Sequence, residues 1–436
     1  MFVDNQELSS LIKDNVDYES EFGKSAIEKG FCFNGSLQAF SDELMFKMRD
    51  SKRYLFSPTS LHIFVVTNEC NMKCVYCQAQ SGSSKIEMMT NETAEKAVDI
   101  ALSSPAEELS FEFQGGEPLL NFGVIKHIVE YTQATKANKR ISFSLVSNLT
   151  LLSKEIIEFL LKNDISVSTS LDGHEALHNL NRPMKTGVGS YFGVINGIER
   201  LKNAGIIVGA IETTTKMALG SAERIVDAYV NAGFDSIFIR PLTQIGRARD
   251  NWNEIGYSAK DFVAFYRNCI NYIIHLNRKG IKFKEGHLSL VLPKILHGQA
   301  VNYMELRSPC GAGIGQMAYY YDGNVYTCDE GRMLAEMGND AFKLGNVYLN
   351  TYDDMIDSTN CKAACLSSCL ESLPLCESCV YSPYCGVCPV ANYVQRGNVF
   401  CSEPNNYRCE IYKGIFDTVF ELIKDDACLE IIKEWV

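Results

Sequence analysis

From residue 61 onward, short apolar runs alternate with longer stretches in which apolar residues recur at helical spacing. Runs rich in β-branched residues are typical of strands, and the longer periodic stretches are typical of amphipathic helices. The predicted strands are residues 61–67, 109–113, 141–147, 165–171, 206–213 and 236–240. The predicted helices are residues 91–103, 122–135, 154–162, 191–204, 222–232 and 261–278.

Six strand–helix units in a row predict a parallel sheet with right-handed crossovers. Such a sheet can curl into a partial barrel, whose working face is formed by the C-terminal ends of the strands. An open doubly wound sheet is the alternative, but the sequence lacks the Gly-x-Gly-x-x-Gly turn expected after one of its strands. We therefore predict an α/β fold built on a partial (β/α)6 TIM barrel. Before it, residues 1–57 predict only short helices, at 7–13 and 20–29.

Composition and charge narrow the functional classes. The 436 residues allow two to three domains, and 46% hydrophobic with 22% charged residues is typical of a globular protein with a full core. The sequence has no long apolar run and no signal-peptide pattern at its N-terminus, so we expect a cytoplasmic protein. A net charge of -12 argues against general binding of nucleic acid or anionic membrane and is compatible with a basic or neutral peptide partner.

The 17 cysteines are the least ordinary part of the composition. In a cytosolic chain they are not a disulfide framework, because the cytosol keeps thiols reduced, so metal ligation is the better explanation. Eleven of them fall between Cys310 and Cys409, and a separate group lies near residue 70, which predicts two metal-bearing domains. Three further cysteines are expected to be ordinary thiols, Cys32, Cys269 and Cys428.

Cys70, Cys74 and Cys77 stand within eight residues, directly after the first predicted strand. They are therefore expected on a loop at the working face of the sheet. Three thiolates this close can ligate three irons of a 4Fe-4S cluster and leave the fourth iron without a protein ligand. A zinc knuckle or three unrelated buried cysteines are the alternatives, but zinc needs a fourth Cys or His nearby, and residues 79–110 contain neither.

This spacing resembles the signature of the radical S-adenosylmethionine (SAM) enzymes. The resemblance implies that the open iron binds the amino and carboxylate groups of SAM, and that an electron from the cluster splits SAM to a 5'-deoxyadenosyl radical. It also implies the six-strand partial barrel that the hydrophobic pattern predicts. The cofactors implied for this part of the chain are one 4Fe-4S cluster and SAM.

The second predicted strand runs into Gln114, Gly115, Gly116 and Glu117, followed by a proline. Two glycines let the backbone approach a ligand closely, and the carboxylate can pair with an ammonium group. The run matches the Gly-Gly-Glu-Pro loop that contacts the SAM amino group in the radical SAM family. A plain turn is the alternative.

Two later loops resemble family elements that surround the rest of SAM. Ser147 and Asn148 end the third strand, where relatives place side chains near the ribose. Ser170 and Asp172, with Arg182 downstream, resemble the family's Ser-Leu-Asp-Gly loop, and such groups suit the ribose hydroxyls and the SAM carboxylate. The alternative is an ordinary Asp-Gly turn with the arginine in a surface pair. Two neighbouring histidines are expected to face solvent, His174 and His178.

A second motif region begins at Cys310, which is followed by Gly323 after twelve residues and by Cys328 after four more. Strand-like runs on both sides of Asp322 and Gly323 predict a β-hairpin with a tight turn. Four further cysteines follow in the pattern Cys-x2-Cys-x5-Cys-x2-Cys, and Cys409 comes later. This region resembles the SPASM extension of radical SAM peptide maturases, which carries two auxiliary 4Fe-4S clusters.

The resemblance implies two sets of auxiliary ligands. The first set is Cys310, Cys328 and Cys388, with Cys369 favoured as the fourth ligand over Cys365, Cys361 or none. The second set is Cys376, Cys379, Cys385 and Cys409, with Cys409 favoured over Cys401. The family usually leaves three residues between the last two cysteines of the run where this chain has two, so the division of ligands stays open. A zinc ribbon over residues 376–388 is the alternative.

Asp329 follows Cys328 directly. In a sulfatase-maturing relative the matching Asp acts as a base, and a carboxylate that faces a substrate side chain can do the same here. An ordinary turn residue is the alternative. The expected domains are a helical segment at 1–57 that can hold part of a peptide-recognition element, a radical SAM partial barrel at 58–285, and a C-terminal SPASM iron-sulfur domain at 286–436.

The function that the resemblance implies is modification of a small ribosomally made precursor peptide by hydrogen abstraction, with formation of a thioether or carbon–carbon crosslink. The motifs look most similar to maturases of the His-Xaa-Ser type and to thioether-forming maturases. A flavodoxin- or ferredoxin-type protein is the expected electron donor. The alternatives are a maturase that oxidises a Ser or Cys of a sulfatase to formylglycine and a non-catalytic metal-binding scaffold for a peptide.

Overall fold

The computed structural model describes residues 3–81, 87–400 and 406–436. The chain forms two units, Met1–Phe56 with Gly298–Ala300 and Ser57–His297 with Val301–Val436. No helix in these described ranges is long and apolar enough to cross a membrane.

The first unit is helical. It contains α1 (Asn5–Ile12), α2 (Glu21–Glu28) and α3 (Leu37–Ser51). Each helix begins after a polar residue whose side chain accepts a backbone N–H of the first turn, which satisfies a donor that the helix itself leaves unpaired. The first two helices agree with the two that the sequence predicts.

The second unit is organised around one sheet of ten strands. Seven parallel strands come first, β1 (Leu61–Val65), β2 (Glu108–Gln114), β3 (Arg140–Val146), β4 (Ile165–Ser170), β5 (Val208–Thr213), β6 (Ser236–Arg240) and β7 (Lys284–Glu285). Three more follow, β8 (Gln316–Tyr319), β9 (Asn324–Tyr326) and β10 (Lys343–Asn346). The order across the sheet is β10-β9-β8-β1-β2-β3-β4-β5-β6-β7, with β8 parallel to β1 and antiparallel to β9.

Helices connect and cover the strands. Between β1 and β6 they are α4 (Asn91–Leu102), α5 (Phe122–Thr135), α6 (Lys154–Lys162), α7 (Glu175–Asn181), α8 (Tyr191–Asn203) and α9 (Ala222–Asn231). Around β7 they are α10 (Arg247–Asp250), α11 (Trp252–Ile255), α12 (Ala259–Arg278) and α13 (Gly286–His297). After β9 they are α14 (Asp329–Ala335), α15 (Tyr352–Ile356), α16 (Thr359–Leu366), α17 (Pro389–Arg396), α18 (Tyr407–Ile423) and α19 (Asp426–Lys433).

Alternate residues of the strands face opposite sides of the sheet. On β1, Phe64 packs with Phe111 and Phe113 of β2 in a core that includes residues of α4, α5, α6 and α8. Its neighbour Ile63 instead lines a cavity on the other side of the sheet. A second core joins β6 to α9, α12, α13 and α18. The sheet therefore separates a packed helical layer from an inner cavity, as the wall of a barrel does.

The predicted elements agree well with the observed ones. All six predicted strands overlap observed strands, and the strand at 236–240 and the helices at 122–135 and 154–162 have the predicted bounds. The predicted hairpin is confirmed as β8 and β9, with Gly323 at a φ of 84° in its turn. The hairpin joins the barrel sheet because β8 pairs with β1. This pairing was not predicted. The boundary expected between residues 285 and 286 stays a prediction.

Candidate active site and metal centres

The cysteine loop leaves the C-terminal end of β1, as the sequence predicts. Cys70 is buried, Cys74 and Cys77 are partly exposed, and the Cys70 Sγ accepts the Met72 N–H at 3.4 Å. Burial raises the pKa of Cys70 to about 12 and that of Cys74 to about 11, and the charges of the neighbouring thiols add to the rise. Thiolates crowded in this way are held best by a cation that they share.

Two segments hold the cysteine loop in place. At the end of α7, the Asn181 carbonyl accepts the Val75 N–H at 2.9 Å. After β6, the Arg247 N–H donates to the Cys77 carbonyl at 3.0 Å. Gly246 precedes it at a φ of 59°, and a Cβ there would lie 2.2 Å from the backbone of the cysteine loop. The sequence did not predict this second segment, although a glycine and two arginines, Gly246, Arg247 and Arg249, follow shortly after the last predicted strand.

The Gly-Gly-Glu-Pro loop packs against the backbone of the cysteine loop. The Gly116 N–H donates to the Thr67 carbonyl at 2.9 Å. A Cβ at Gly116 would lie 2.1 Å from the Glu69 carbonyl oxygen, and one at Gly115 would lie 2.7 Å from the Thr67 oxygen. The two glycines therefore permit contact between the two loops, whereas the sequence suggested close approach to a ligand.

Glu117 joins the ends of β2 and β3. Its carboxylate is 1% exposed and accepts the Ser147 hydroxyl and the Asn148 N–H, both at 2.8 Å. The Asn148 side-chain amide donates to Asn71 of the cysteine loop, also at 2.8 Å. Burial raises the pKa of the Glu117 carboxyl, and its hydrogen bonds oppose that rise. The structure thus brings three of the predicted SAM-site residues together beside the cysteines.

Asp172 and Arg182 come together around Tyr76, which lies in the cysteine loop. The Tyr76 hydroxyl donates to the Asp172 carboxylate at 2.8 Å, and the Arg182 guanidinium donates to the Tyr76 oxygen at 2.7 Å. All three side chains are buried, so the surface pair considered for Arg182 is wrong. Ser170 is the last residue of β4 and is partly exposed.

His178 is buried, and the expectation that it faces solvent is wrong. Its Nδ1 accepts the Asp172 N–H at 3.2 Å, and its Nε2 lies 3.1 Å from the Ser190 hydroxyl. Burial lowers the pKa of His178 to about 3, so the imidazole is neutral near pH 7. Its unprotonated Nδ1 can then accept the Asp172 N–H. The hydrophobic pattern around His178 was too short to predict that its side chain is buried, because α7 has only seven residues. His174 is partly exposed.

A cavity of about 610 Å³ lies on the inner side of the sheet and reaches the C-terminal ends of β2, β3 and β6. Its wall includes Gln114 and Gly115, which adjoin the cysteine loop, and Asp329 with other residues from the second motif region. The cavity therefore extends from the start of the Gly-Gly-Glu-Pro loop to the second cysteine region.

Two carboxylates in this cavity differ in their partners. Asp329 is paired with Arg332, whose Nε lies 3.2 Å from its Oδ1. Glu112 accepts the Gln114 side-chain amide at 2.6 Å and the Ser144 hydroxyl at 3.4 Å. Burial, and to a smaller degree the Asp329 charge, raise the pKa of Glu112. Carboxylates in such a setting can accept a proton from a substrate group.

Cys310, Cys328 and Cys388 line this cavity together. Cys328 caps α14 and Cys388 caps α17, and each Sγ accepts a backbone N–H of the first helical turn, at 3.3 and 3.4 Å. A helix N-terminus stabilises a thiolate through its partial positive charge. Burial raises the pKa of Cys310 to about 11 and that of Cys388 to about 12. Cys310 and Cys328 are buried and Cys388 is partly exposed, and their assignment to one cluster stays a prediction.

A second, smaller cavity is lined by Cys376, Cys379, Cys385 and Cys409, and Cys388 borders it as well. Cys409 lies in the first turn of α18, where its N–H donates to Asn406 Oδ1 at 2.8 Å. Burial raises the pKa of Cys385 to about 12, and the charges of Cys409 and Cys376 add to the rise. Cys401, the alternative to Cys409 as a ligand of the second set, lies outside the described residues.

Cys369 lies next to the segment of Cys310, because the Cys310 N–H donates to Ser368 Oγ at 3.0 Å and the Leu370 N–H donates to Ser308 Oγ at 2.9 Å. The Cys369 Sγ itself donates to the Cys365 carbonyl at 3.4 Å, and neither these two cysteines nor Cys361 lines the larger cavity. The assignment of Cys369 as a ligand stays a prediction. All cysteines in the described ranges are free thiols, and those ranges contain no group of three Cys, His, Asp or Glu side chains arranged for a single metal ion. Thiol sets spread around a cavity have the donor chemistry of iron-sulfur clusters.

The structure thus combines a partial barrel, a cysteine loop at the C-terminal edge of its strands and two thiol-lined cavities. Residues 64–224 match the model of the radical SAM superfamily. This part of the chain is therefore a radical SAM domain. The protein is an enzyme, and its cofactors include a 4Fe-4S cluster and SAM.

The chain is also similar to curated proteins, two of them over most of its length. The chain is 26% identical to a cysteine-type anaerobic sulfatase-maturating enzyme of Clostridium perfringens, over 83% of this chain and 96% of that protein. It is 25% identical to the antilisterial bacteriocin subtilosin biosynthesis protein AlbA of Bacillus subtilis, over 81% of this chain and 73% of that protein. An uncharacterized protein of Methanocaldococcus jannaschii is 35% identical over 40% of this chain, which spans 60% of that relative's length.

Two solved structures share the fold. Native anSMEcpe with bound AdoMet superposes with a TM-score of 0.73 at 23% identity, over 86% of this chain and all of that one. Streptococcus suis SuiB bound to precursor peptide SuiA superposes with a TM-score of 0.58 at 16% identity, over 90% of this chain and 87% of that one. The α/β fold with a parallel central sheet is thereby confirmed.

Proposed function

We propose that this protein modifies a ribosomally synthesised peptide by hydrogen abstraction and forms a thioether or carbon–carbon crosslink in it. The observation that carries the proposal is the 610 Å³ cavity, which extends from the Gly-Gly-Glu-Pro loop to Cys310, Cys328 and Cys388 and has room for a peptide side chain. Relatives named for maturation of a sulfatase and for biosynthesis of a bacteriocin support a polypeptide substrate.

The cysteine loop is the proposed site of the first cluster, with Cys70, Cys74 and Cys77 as its ligands. When bound, the cluster and SAM supply a 5'-deoxyadenosyl radical, which takes a hydrogen atom from the substrate. The proposed SAM-binding residues surround this loop, and they are Gln114, Gly115, Gly116, Glu117, Ser147, Asn148, Ser170, Asp172 and Arg182. Glu117 is hydrogen-bonded to Ser147 and Asn148, and Arg182 is hydrogen-bonded to Tyr76 of the cysteine loop. These bonds hold the proposed SAM-binding residues in place.

The second cysteine region is the proposed site of two auxiliary 4Fe-4S clusters. The three thiols of the larger cavity, Cys310, Cys328 and Cys388, belong to the first cluster. The thiols of the smaller cavity, Cys376, Cys379, Cys385 and Cys409, belong to the second. Because Cys388 borders both cavities, the two clusters would be neighbours.

Asp329 is the proposed base. Its carboxylate lines the cavity next to Cys328 and is oriented by Arg332, so it can accept a proton from a substrate side chain held there. We place the reaction in the cytoplasm, with a small precursor peptide as substrate and a flavodoxin- or ferredoxin-type protein as electron donor. A solved relative with a bound precursor peptide supports the peptide partner.

Anaerobic incubation with a precursor peptide from a neighbouring reading frame tests the proposal. We expect the mass of the peptide to fall by two hydrogens, because each crosslink removes one hydrogen from each bonded atom. One leaves as the hydrogen atom that the radical takes; the other would leave as a proton to Asp329 and an electron to an auxiliary cluster. Release of 5'-deoxyadenosine without a change in peptide mass would contradict the crosslink.

Formylglycine formation in a sulfatase is the second candidate, because the chain spans 96% of a sulfatase-maturating enzyme. A test peptide with the sequence Cys-x-Pro-x-Arg separates the two. Conversion of its cysteine to an aldehyde supports formylglycine formation. An unchanged test peptide, together with a crosslinked precursor peptide, supports the crosslinking reaction. The radical SAM match favours either reaction over a non-catalytic scaffold.

A further inference from the structure

The larger cavity holds three thiols of the first auxiliary set, and a 4Fe-4S cluster has four irons to ligate. The sequence favoured Cys369 as the fourth ligand, but the Cys369 thiol is directed to the Cys365 carbonyl, and the cysteine does not line this cavity. Among the cavity residues that the structure describes, the only cysteines are Cys310, Cys328 and Cys388. A fourth ligand that this cavity itself supplies would therefore be a side chain other than cysteine.

Glu330 stands two residues after Cys328, in the first turn of α14. Its side chain therefore lines the same cavity as Cys310, Cys328 and Cys388.

The carboxylate of Glu330 also has unused capacity to accept a ligand. Its nearest cation is Arg240, whose Nη2 lies 3.6 Å from the Oε1 of Glu330 but 2.5 Å from the carboxylate of Glu305. Glu305 also pairs with Arg408 at 3.4 Å and accepts the Tyr412 hydroxyl at 2.8 Å. The two arginines are thus committed mainly to Glu305, and no donor of another described residue lies within hydrogen-bonding distance of Glu330.

We infer that Glu330 is the fourth protein ligand of the first auxiliary cluster, where it completes the set Cys310, Cys328 and Cys388. The inference rests on the auxiliary clusters proposed above. Iron accepts carboxylate as well as thiolate ligands, but carboxylate is the harder ligand and suits an iron-sulfur cluster less well. A substrate thiol that enters the cavity could therefore replace the carboxylate more easily than it could replace one of the cysteines.

The test uses the full chain with Cys70, Cys74 and Cys77 changed to alanine, so that only auxiliary clusters remain. Iron is counted, and electron paramagnetic resonance spectra are recorded, for this parent and for the added changes Glu330→Gln, Glu330→Cys and Cys369→Ala. The parent should hold about eight irons per chain. Glu330→Gln should lose about one iron per chain and show the signal of a three-iron cluster. Glu330→Cys should regain the iron, and Cys369→Ala should match the parent.

The inference fails if Glu330→Gln keeps the iron and the spectrum of the parent, or if Cys369→Ala loses the iron instead. Loss in Glu330→Gln that Glu330→Cys does not restore would indicate a folding defect and would also overturn the ligand assignment. A parent that contains zinc, or no metal, overturns the auxiliary clusters themselves, so the two failures are distinguishable.

Discussion

At the scale of single residues, the cysteine loop is held by buried polar side chains. Tyr76 bridges Asp172 and Arg182, and Glu117 bridges the ends of two strands. A buried charged group that loses its partner is left uncompensated, and that typically costs about 3–5 kcal/mol. These side chains therefore fix the geometry of the loop even before any cofactor is bound.

Gly116 is the residue whose change should damage the loop most directly. In Gly116→Ala the new Cβ would lie 2.1 Å from the Glu69 carbonyl oxygen, and backbone cannot move aside as a flexible side chain can. We expect the Gly-Gly-Glu-Pro loop to separate from the cysteine loop. The iron content should then fall by about four per chain, the content of one cluster.

Gly123→Ala is the matched control for this change, because a Cβ at Gly123 has nothing within 4 Å. Its iron content should equal that of the unchanged protein. Equal iron in Gly116→Ala and Gly123→Ala would show that contact between the two loops is not needed for cluster binding.

Asp329→Asn tests the proposed base. The change keeps the shape of the side chain and removes its capacity to accept a proton, so peptide modification should fall by about 100-fold while 5'-deoxyadenosine is still released. The measurement is the ratio of modified peptide to 5'-deoxyadenosine. Asp340→Asn is the control, since Asp340 is an exposed carboxylate of the same region. A similar ratio in both variants would rule out the role of Asp329.

At the scale of elements, the junction of β1 and β8 decides how the C-terminal region is attached. Leu61 pairs with Gln316 and Phe64 with Tyr319 along this parallel junction. The His62 Nδ1 lies 2.9 Å from the Tyr319 hydroxyl across the same junction. Aromatic rings at this junction belong to the main core, so the attachment is an extension of that core.

The buried His62 should make this junction sensitive to acid. Burial lowers the pKa of His62 to about 3, whereas an unfolded histidine has a pKa of about 6.5. Between these values the unfolded chain binds more protons than the folded one, so stability falls as the pH falls from about 6.5. The slope contributed by one such group is at most about 1.4 kcal/mol per pH unit.

His62→Phe should flatten this pH dependence, because it keeps an aromatic ring against Phe111 and Tyr319 and removes the titrating group. The urea midpoint of the apoprotein, measured from pH 7 down to pH 5, gives the slope. His178 contributes in the same direction, since its pKa is also lowered to about 3, so some slope should remain. An unchanged slope in the variant would contradict the assignment to His62.

The elements themselves could largely be predicted from the sequence, because period and capping residues are local properties. The partner of β8 could not, since its pairing with β1 joins residues about 250 positions apart and no local pattern encodes it. The same limit applies to the site. The motif spacing indicated Cys70, Cys74, Cys77 and the Gly-Gly-Glu-Pro loop, whereas the roles of Tyr76 and Gly246 depend on contacts made only in the folded chain.

At the scale of the whole molecule, the shared sheet implies that the barrel depends on the region after it. A chain that ends at His297 would lack β8, β9 and β10, and with them the fully buried Met317 and Tyr319. The edge of β1 would then be exposed, and an exposed apolar edge strand promotes aggregation. We expect the truncated chain to be insoluble or to unfold without a cooperative transition.

Size-exclusion chromatography and thermal unfolding of the truncated chain test this expectation. A soluble, cooperatively folded monomer would contradict it, and would support the domain boundary expected between residues 285 and 286.

The central claim is that the loop with Cys70, Cys74 and Cys77 supports cleavage of SAM. Its most direct test is the amount of 5'-deoxyadenosine formed anaerobically from SAM and a strong reductant. The unchanged protein and a Cys32→Ala control, which alters a partly exposed thiol of the other unit, should both form it. Cys74→Ala should form none. Equal 5'-deoxyadenosine from Cys74→Ala and Cys32→Ala would contradict the account.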